Sequence, residues 1–436
     1  MSSLAAWLPN FKQRYGDFTD PLPEENTIAD FFAFVKQDQR PGIAFNFPIV
    51  VSLEHGQTAD NTGTAFAFNS AVDSTLQNAQ IDGATLGLIG NIPYDVSFKS
   101  RNGAGNGSVG GAFRTAFELK TDLLMKSMEF YREISLLYGC GSGAVISCNI
   151  GIIASSPAPT GTNLGGGMTA AFLQSTWAPG IWSNMLNAKV DFYAADGTTP
   201  VAGGSAGVSV TAVNADTAQV TFQLAASTAV LAATQRVVMT GWRTKSCVGI
   251  EGVLANTGTI FNINAATYPM WKALQVSLGG AQLSRARVLG LAARLFPNGL
   301  TQGGSLFVSG PGFGDLAEEA DSLQRYTNNT DEVKRQGVNQ LVYKSPAGEI
   351  TVKLHKYMKQ GEAMFFPTGN GKRVGSTDIT FRGEGQDWFF LELPTNAGCQ
   401  LRIMSNQAAI LTMPYRTAFI TGIINSASSG VVGSLT

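Results

Sequence analysis

The sequence predicts an α+β fold with long projecting segments. Three observations lead there: a helical period sustained from Ala112 to about Tyr138, short strand-like runs punctuated by Gly and Pro on either side of it, and an amino-terminal stretch too poor in apolar residues to build its own core. The chain has 436 residues, of which 50 are glycine and only 14% are charged. That length suggests two or three lobes, and the glycine content suits turns and close approaches more than a helical bundle.

Residues 1–47 mix aromatic, proline and charged residues without a steady period. Trp7-Leu8-Pro9 and Pro21-Leu22-Pro23 precede a short apolar stretch from Ile28 to Val35 that includes Phe31, Phe32 and Phe34. The reading is an extended arm with one short helix, whose apolar side chains must pack on another surface. Residues 48–100 hold strand-like runs at Phe47–Leu53 and Tyr94–Phe98 around a polar centre carrying His55, Phe66 and Phe68. A segment so poor in core candidates fits a projecting β-hairpin that leans on something outside the chain. The glycines Gly103, Gly105, Gly107, Gly110 and Gly111 then read as a hinge into the helix.

The expected helix ends at Gly139 and Gly141 and measures roughly 40 Å at about 1.5 Å per residue. Arg114 with Glu118 and Asp122 with Lys126 stand at i,i+4, and Glu129 with Arg132 at i,i+3, pairings worth only tenths of a kcal/mol each. Its apolar residues form two stripes, so it is expected to be contacted along more than one side. Beyond it, strand signals recur between Lys189 and about Val238, with turns at Asp196-Gly197 and Asn214–Asp216, as a small β-rich insertion. A helix at Ser284–Phe296 with Ser284 as its cap, a strand at Leu306–Ser309, and a second helix from about Asp315 with Asp315 and Glu318 as a capping box suggest an α/β lobe. Closing strands are expected at Asp378–Arg382, Trp388–Leu393 and Gln400–Met404.

The composition excludes several functions. Lys plus Arg number 30 and Asp plus Glu 31, for a formal net charge of −1, and no block of like charges offers phosphates a dense cationic surface. The start Met-Ser-Ser-Leu-Ala-Ala-Trp lacks a basic flank and an apolar run, and no stretch is apolar enough to cross a membrane, so the protein is expected to be made and kept in the cytoplasm. Cys140, Cys148, Cys247 and Cys399 fit no metal spacing and are expected to be free buried thiols. His55 and His355 are far apart in sequence and offer little for a metal site or a pH switch. Gly105-Asn-Gly107-Ser-Val-Gly110 satisfies GxGxxG, but the acidic positions that should end a second strand, Glu129 and Glu133, fall inside the helix. Gly310–Asp315 lacks the Lys-Ser/Thr of a phosphate loop, and Gly371-Lys372-Arg373 reads as a solvated loop tip. There is no Gly-x-Ser-x-Gly elbow, and Glu24-Glu25 and Glu318-Glu319 are explained as solvated faces. No enzyme, cofactor or metal site is expected.

The order of parts, together with Phe117–Met125 in the helix, Trp177–Trp182, Gly249–Thr257, Ala266–Trp271 and Trp388–Leu393, resembles the major capsid proteins of tailed bacteriophages. The resemblance covers nearly the whole chain. It implies an arm over residues 1–47, an extended loop over 48–100 reaching across a neighbouring subunit, and a peripheral domain over 101–185 and 370–436 built on a spine helix at about 112–138. It also implies an axial domain over 186–369 with the β-rich insertion at about 189–240. The implied function is self-assembly of pentamers and hexamers into an icosahedral shell that encloses double-stranded DNA without reading its sequence. The implied partners are copies of the chain itself, a portal, and separate scaffolding or decoration proteins. Members with a built-in scaffold carry an extra amino-terminal region, whereas here the arm begins almost at once, so a separate scaffold or none is expected. The implied location is the virion, after assembly in the host bacterial cytoplasm. Candidate subunit contacts are Trp7, Phe31, Phe32, Phe34, His55, Phe66, Phe68, Arg114, Glu118, Asp122, Lys126, Glu129 and Arg132. An encapsulin-like compartment loading enzyme cargo is the alternative; a secreted β-rich adhesin is disfavoured by the lack of a signal sequence.

Overall fold

The computed structural model describes residues 27–36, 45–60, 67–93, 110–142, 148–154, 167–223, 231–323, 341–381, 391–392 and 398–426. Its beam is one helix, Gly110–Tyr138. Gly110 and Gly111, expected in a hinge, instead form the first helical turn. From Phe130 to Tyr138 every side chain but that of Tyr131 is buried, as two apolar stripes require.

The helix lies on a sheet in which Gly398–Leu411 pairs antiparallel with both Gly371–Thr380 and Ala84–Pro93. Leu86, Leu88 and Ile92 alternate toward the helix and share a cluster with Leu124, Met128, Leu401 and Ile403, while Thr85, Gly87 and Ile89 face outward. Ala84–Pro93 is therefore a body strand, and the projecting segment ends sooner than the expected residue 100. The expected run Tyr94–Phe98 lies outside the described residues. The hairpin itself forms from Phe45–Ser52 and Thr75–Ile81, paired antiparallel from Phe45 opposite Ile81 to Ser52 opposite Thr75.

Six short antiparallel strands make a second unit: Gly151–Ile152, Arg236–Met239, Lys189–Tyr193, Val208–Asn214, Gln219–Gln223 and Gly167–Ala171, in that spatial order. A bridge between Ile153 and Phe172 joins the two edges, so the sheet closes into a small barrel. Phe172, Phe192, Phe222 and Trp182 fill it, with Phe192 and Phe222 meeting edge to face at 5.0 Å. Two of these strands precede residue 186, so the expected domain boundary cuts through a hydrogen-bonded unit, and the β-rich region is larger than residues 189–240.

The third unit is a mixed sheet ordered Leu274–Ser277, Ala418–Thr421, Ala363–Pro367, Gly304–Val308, Gly348–Leu354 and Leu341–Ser345. Helices Arg285–Leu295 and Gly310–Leu323 contribute Val288, Leu291, Leu295 and Leu316 to its core. This is the expected α/β lobe, although Ala418–Thr421, assigned by sequence to the peripheral domain, pairs in its interior. Ser284 stands at the first helix's cap position, but its hydroxyl makes no cap bond; the Glu319 carboxylate accepts from the Arg285 N–H at 2.6 Å instead. The second helix starts at Gly310, five residues before the expected Asp315, because Ser309 accepts the Phe313 N–H and Pro311 suits a first turn. Asp315 is thus inside the helix and accepts from the N–H and hydroxyl of Ser426.

Two further expectations are corrected. Lys372 and Arg373 lie in a strand rather than a solvated tip: Arg373 is buried and donates to the Phe32 carbonyl, the Gln407 amide oxygen and Asp378. Cys140 and Cys148, expected to be free thiols, form a disulfide with a Cα–Cα distance of 5.1 Å, within the usual range. Cys247 is free and buried, as expected.

Candidate assembly interface

The stretches 28–35 and 47–53 are both rich in apolar side chains, and the fold treats them differently. Thr27–Phe31 is one short helix whose opening N–H groups need acceptors. Glu133, fully buried in the long helix, supplies them: Oε1 accepts from Ile28 at 2.6 Å and Oε2 from Ala29 at 3.1 Å. His355 Nδ1 accepts the Tyr357 N–H, which leaves Nε2 to carry the ring proton and donate to Glu133 Oε1 at 3.0 Å. Phe31 and Phe32 pack on Phe307 and Phe366, and Ala33–Lys36 adds a parallel strand to the body sheet beside Lys372–Gly375.

Phe32, expected to touch a neighbouring copy, is wholly buried inside its own subunit. Phe31 is half-buried with the Lys353 ammonium 5.0 Å from its ring centre, and Phe34 is half-buried with the Arg373 guanidinium at 5.6 Å. The sequence could not show this, since the residues that receive the segment lie between about 105 and 341 positions away.

The hairpin behaves otherwise. Phe45, Phe47 and Ile49 lean on the main core and Val51 is buried, while Gln77 donates to the Tyr268 hydroxyl and Gln80 to the Phe261 carbonyl. Its outer face carries Val50 directly opposite Leu76, both exposed. Beyond this pair Leu53, Phe68 and Val72 are also exposed, Phe68 at 82%. Five of the thirteen exposed large apolar side chains among the described residues, Val50, Leu53, Phe68, Val72 and Leu76, lie in this one segment. This segment is therefore the candidate interaction surface. His55 sits at its margin, where its backbone exchanges both hydrogen bonds with Val72.

Of the expected contact residues, His55 and Phe68 lie along this exposed apolar segment, which also carries Val50, Leu53, Val72 and Leu76, residues the sequence reading does not single out. A signal existed: Phe47–Leu53 is apolar on both faces of a strand, more than one core requires. On the long helix Asp122 is exposed, Lys126 and Glu129 are half-buried, and Arg132 is buried. Arg132 turns from Glu129 to Asp378 at 2.8 Å and so braces the subunit's own interior, contrary to the expected subunit contact. Trp7, Phe66, Gly103, Gly105 and Gly107 and the side chains of Arg114 and Glu118 lie outside the described residues.

No family model and no curated protein matches the sequence. Among solved structures, the capsid asymmetric unit of cyanophage A-1(L) superposes with a TM-score of 0.51 at 10% identity, over 95% of this chain and 97% of that chain. The chain has the phage capsid fold. The capsid of a native GTA particle matches at 8% identity and TM-score 0.45, over 97% of this chain and 99% of that one. The holo-SrpI encapsulin complex from Synechococcus elongatus PCC 7942 matches at 7% identity and TM-score 0.40, over 100% and 98%.

At the centre of this capsid fold a second buried polar group ties three elements together. Lys359 Nζ lies 2.5 Å from Glu251 Oε2, 3.6 Å from Glu362 Oε1 and 4.3 Å from the centre of the Tyr138 ring. Burial, then the charge of Glu251, pushes the Glu362 carboxyl up to about 8 against the pull of Lys359. Burial also raises Glu251, against Lys359 and Arg236, and raises Tyr138 well above its ordinary value. These groups join the end of the long helix to the short helix Ile250–Leu254 and the turn before Ala363–Pro367. Among the described residues no group of three His, Cys, Asp or Glu could hold a metal ion, and no helix is long and apolar enough to cross a membrane.

Proposed function

We propose that this chain is the major capsid protein of a tailed bacteriophage, assembling as pentamers and hexamers into the icosahedral shell around double-stranded DNA. The observation that carries the reading is the outward apolar face of the hairpin, Val50 opposite Leu76 with Leu53, Phe68 and Val72 beyond, on a capsid fold. A hairpin anchored at its base and apolar at its outer face offers a neighbour a surface that repeats from copy to copy. Heterologous contacts of that kind close into rings when the rotation allows it. Such an arm buries much area per residue, although ordering it on a partner costs entropy.

In this reading the barrel and the mixed-sheet lobe gather at the ring axes, and the helix with its sheet forms the periphery. A net charge of −1 suits a wall that encloses DNA and later releases it. The protein catalyses no reaction. It assembles in the host cytoplasm, with a separate scaffold or none, resides in the virion, and works with a portal.

Electron microscopy of the purified full-length chain tests the reading. Closed polyhedral shells, or five- and six-membered rings, are expected, and uniform monomers at every concentration would overturn it. Double-stranded DNA inside shells isolated from infected cells separates the phage reading from a compartment that loads enzyme cargo.

A further inference from the structure

The long helix hands the chain to the barrel through one cramped crossing. Cys140 donates its N–H to the Ser246 hydroxyl at 2.7 Å, accepts the Thr244 N–H, and bridges Val248 in antiparallel fashion. A Cβ added to Gly139 would sit 2.3 Å from the Cys247 carbonyl oxygen, and one on Gly249 would sit 2.3 Å from the Gly139 nitrogen, so the two backbones touch. Cys148 begins the next described stretch, two residues before Ile150, whose N–H bonds to Val237 of the barrel. The Cys140–Cys148 bond therefore fastens the end of the helix to the barrel directly. Its sulfurs lie among Tyr193, Val238 and Trp242, and both residues are buried.

We propose that this pair is a redox-set lock: a dithiol while subunits assemble in a reducing cytoplasm, and a disulfide once the shell is outside the cell. This rests on the capsid reading above, which sends one protein through both environments. The oxidant is a small-molecule disulfide of the glutathione type. One cysteine thiolate attacks it, forming a mixed disulfide and releasing one small thiol; the second cysteine loses its proton, attacks the mixed disulfide and releases the other small thiol. Two protein thiols are oxidised to one disulfide, and one small disulfide is reduced to two thiols.

Cys140 is held at the crossing through both its N–H and its carbonyl, which keeps its thiol in place for closure. Burial means that exchange requires a local opening, and that the closed bond is then shielded from reductants. The neighbouring Cys247 is a poor competitor: its thiol lies 3.1 Å from the Ser135 carbonyl oxygen, and burial pushes it up to about 11, which starves it of thiolate. The joint between helix and barrel is thus free to adjust during assembly and is fixed afterwards.

The test counts thiols on full-length protein made in cells with an intact reducing cytoplasm. Cells are quenched in acid, the protein is alkylated under denaturing conditions, and its intact mass is read. All four cysteines are expected to be alkylated. After the folded protein is incubated with glutathione disulfide, only Cys247 and Cys399 should be alkylated, with the Cys140 and Cys148 peptides linked. The oxidised form should melt several degrees higher. Dithiothreitol should reverse that shift, and the C140S/C148S variant should lack it. A disulfide already present inside intact cells, four thiols persisting after the oxidant, a link involving Cys247 or Cys399, or equal melting of the two forms would each overturn the lock. Thiols can be counted on any folded copy, so failure here leaves the shell reading untouched, and failure to form shells would not alter the thiol count.

Discussion

Two apolar stretches near the amino terminus, Ile28–Val35 and Phe47–Leu53, are similar in composition and opposite in fate. The first is received by its own subunit: Glu133 takes its free N–H groups, Arg373 takes the Phe32 carbonyl, and Phe307 and Phe366 take its rings. The second has a core under one face only and leaves Val50 and Leu53 in solvent. What separates them is where the backbone finds its partners: the first stretch takes acceptors from the body and is drawn into it, whereas the second pairs with Thr75–Ile81 inside the hairpin and needs the body under one face only. Under the proposed function, subunit stability and subunit association fall to different segments, and substitutions can pull them apart.

The largest expected effect on the subunit itself is that of Phe32→Ala. It should cost about 3–5 kcal/mol of unfolding free energy, since the ring is fully buried against Phe31, Phe366 and the backbone of Gly371. Denaturant unfolding checks this, and a loss below about 1 kcal/mol would return the segment to the role of a loose arm.

Next comes Glu362→Gln. The folded carboxyl is raised to about 8 from an ordinary 4.5, so the folded state holds a proton that the unfolded chain releases as pH rises past the ordinary value. Wild-type stability should therefore fall between those two pH values and level off above the higher one. The amide, which mimics the protonated acid, should shrink the fall, leaving the part due to Glu251, and make the variant on the order of 2–4 kcal/mol more stable near the upper limit. Parallel pH profiles of the two proteins would show this group to be irrelevant.

Glu133→Gln should be milder, about 1–3 kcal/mol, because the amide keeps one acceptor but sets an NH₂ against N–H donors. Hydrogen exchange at Ile28 and Ala29 should accelerate with it. The smallest effect belongs to Asp122→Lys: an exposed helix position should change melting by no more than about 0.5 kcal/mol. Any larger change would mean that the outer face of the helix supports the subunit itself.

Much of the fold is legible in the residues, and the misses have physical causes. The long helix announces itself by period and by spaced opposite charges, and the barrel strands by turns such as Asp196-Gly197, where Asp196 accepts from the Thr198 and Thr199 N–H groups and Gly197 adopts φ 66°. The strand Ala84–Pro93 carried a readable alternation at Leu86, Leu88 and Ile92, which the polar composition around it obscured. The docking of Ile28–Phe32 was not legible, because helix caps are sought within a few residues and Glu133 is 105 positions from Ile28. Arg373 misled for the same reason: a Gly-Lys-Arg stretch looks solvated until Asp378 and Gln407 are set beside it. The Cys140–Cys148 pair is not legible, because a protein expected in the cytoplasm is expected to keep its thiols free. For the proposed assembly surface, the sequence points to a hairpin and, of its residues, to His55 and Phe68. The Val50–Leu76 pair needed the register, which no local pattern fixes.

Sedimentation of a Val50→Asp/Leu76→Asp double variant against wild type, read alongside thermal melting of the unassembled subunit, probes the outer face of the hairpin most directly. If that face holds sister copies together, the variant stays small under conditions where wild type forms rings or shells, and the two subunits melt within about 1 °C of each other. Shells of normal size and yield from the variant would show that the exposed pair faces no neighbour.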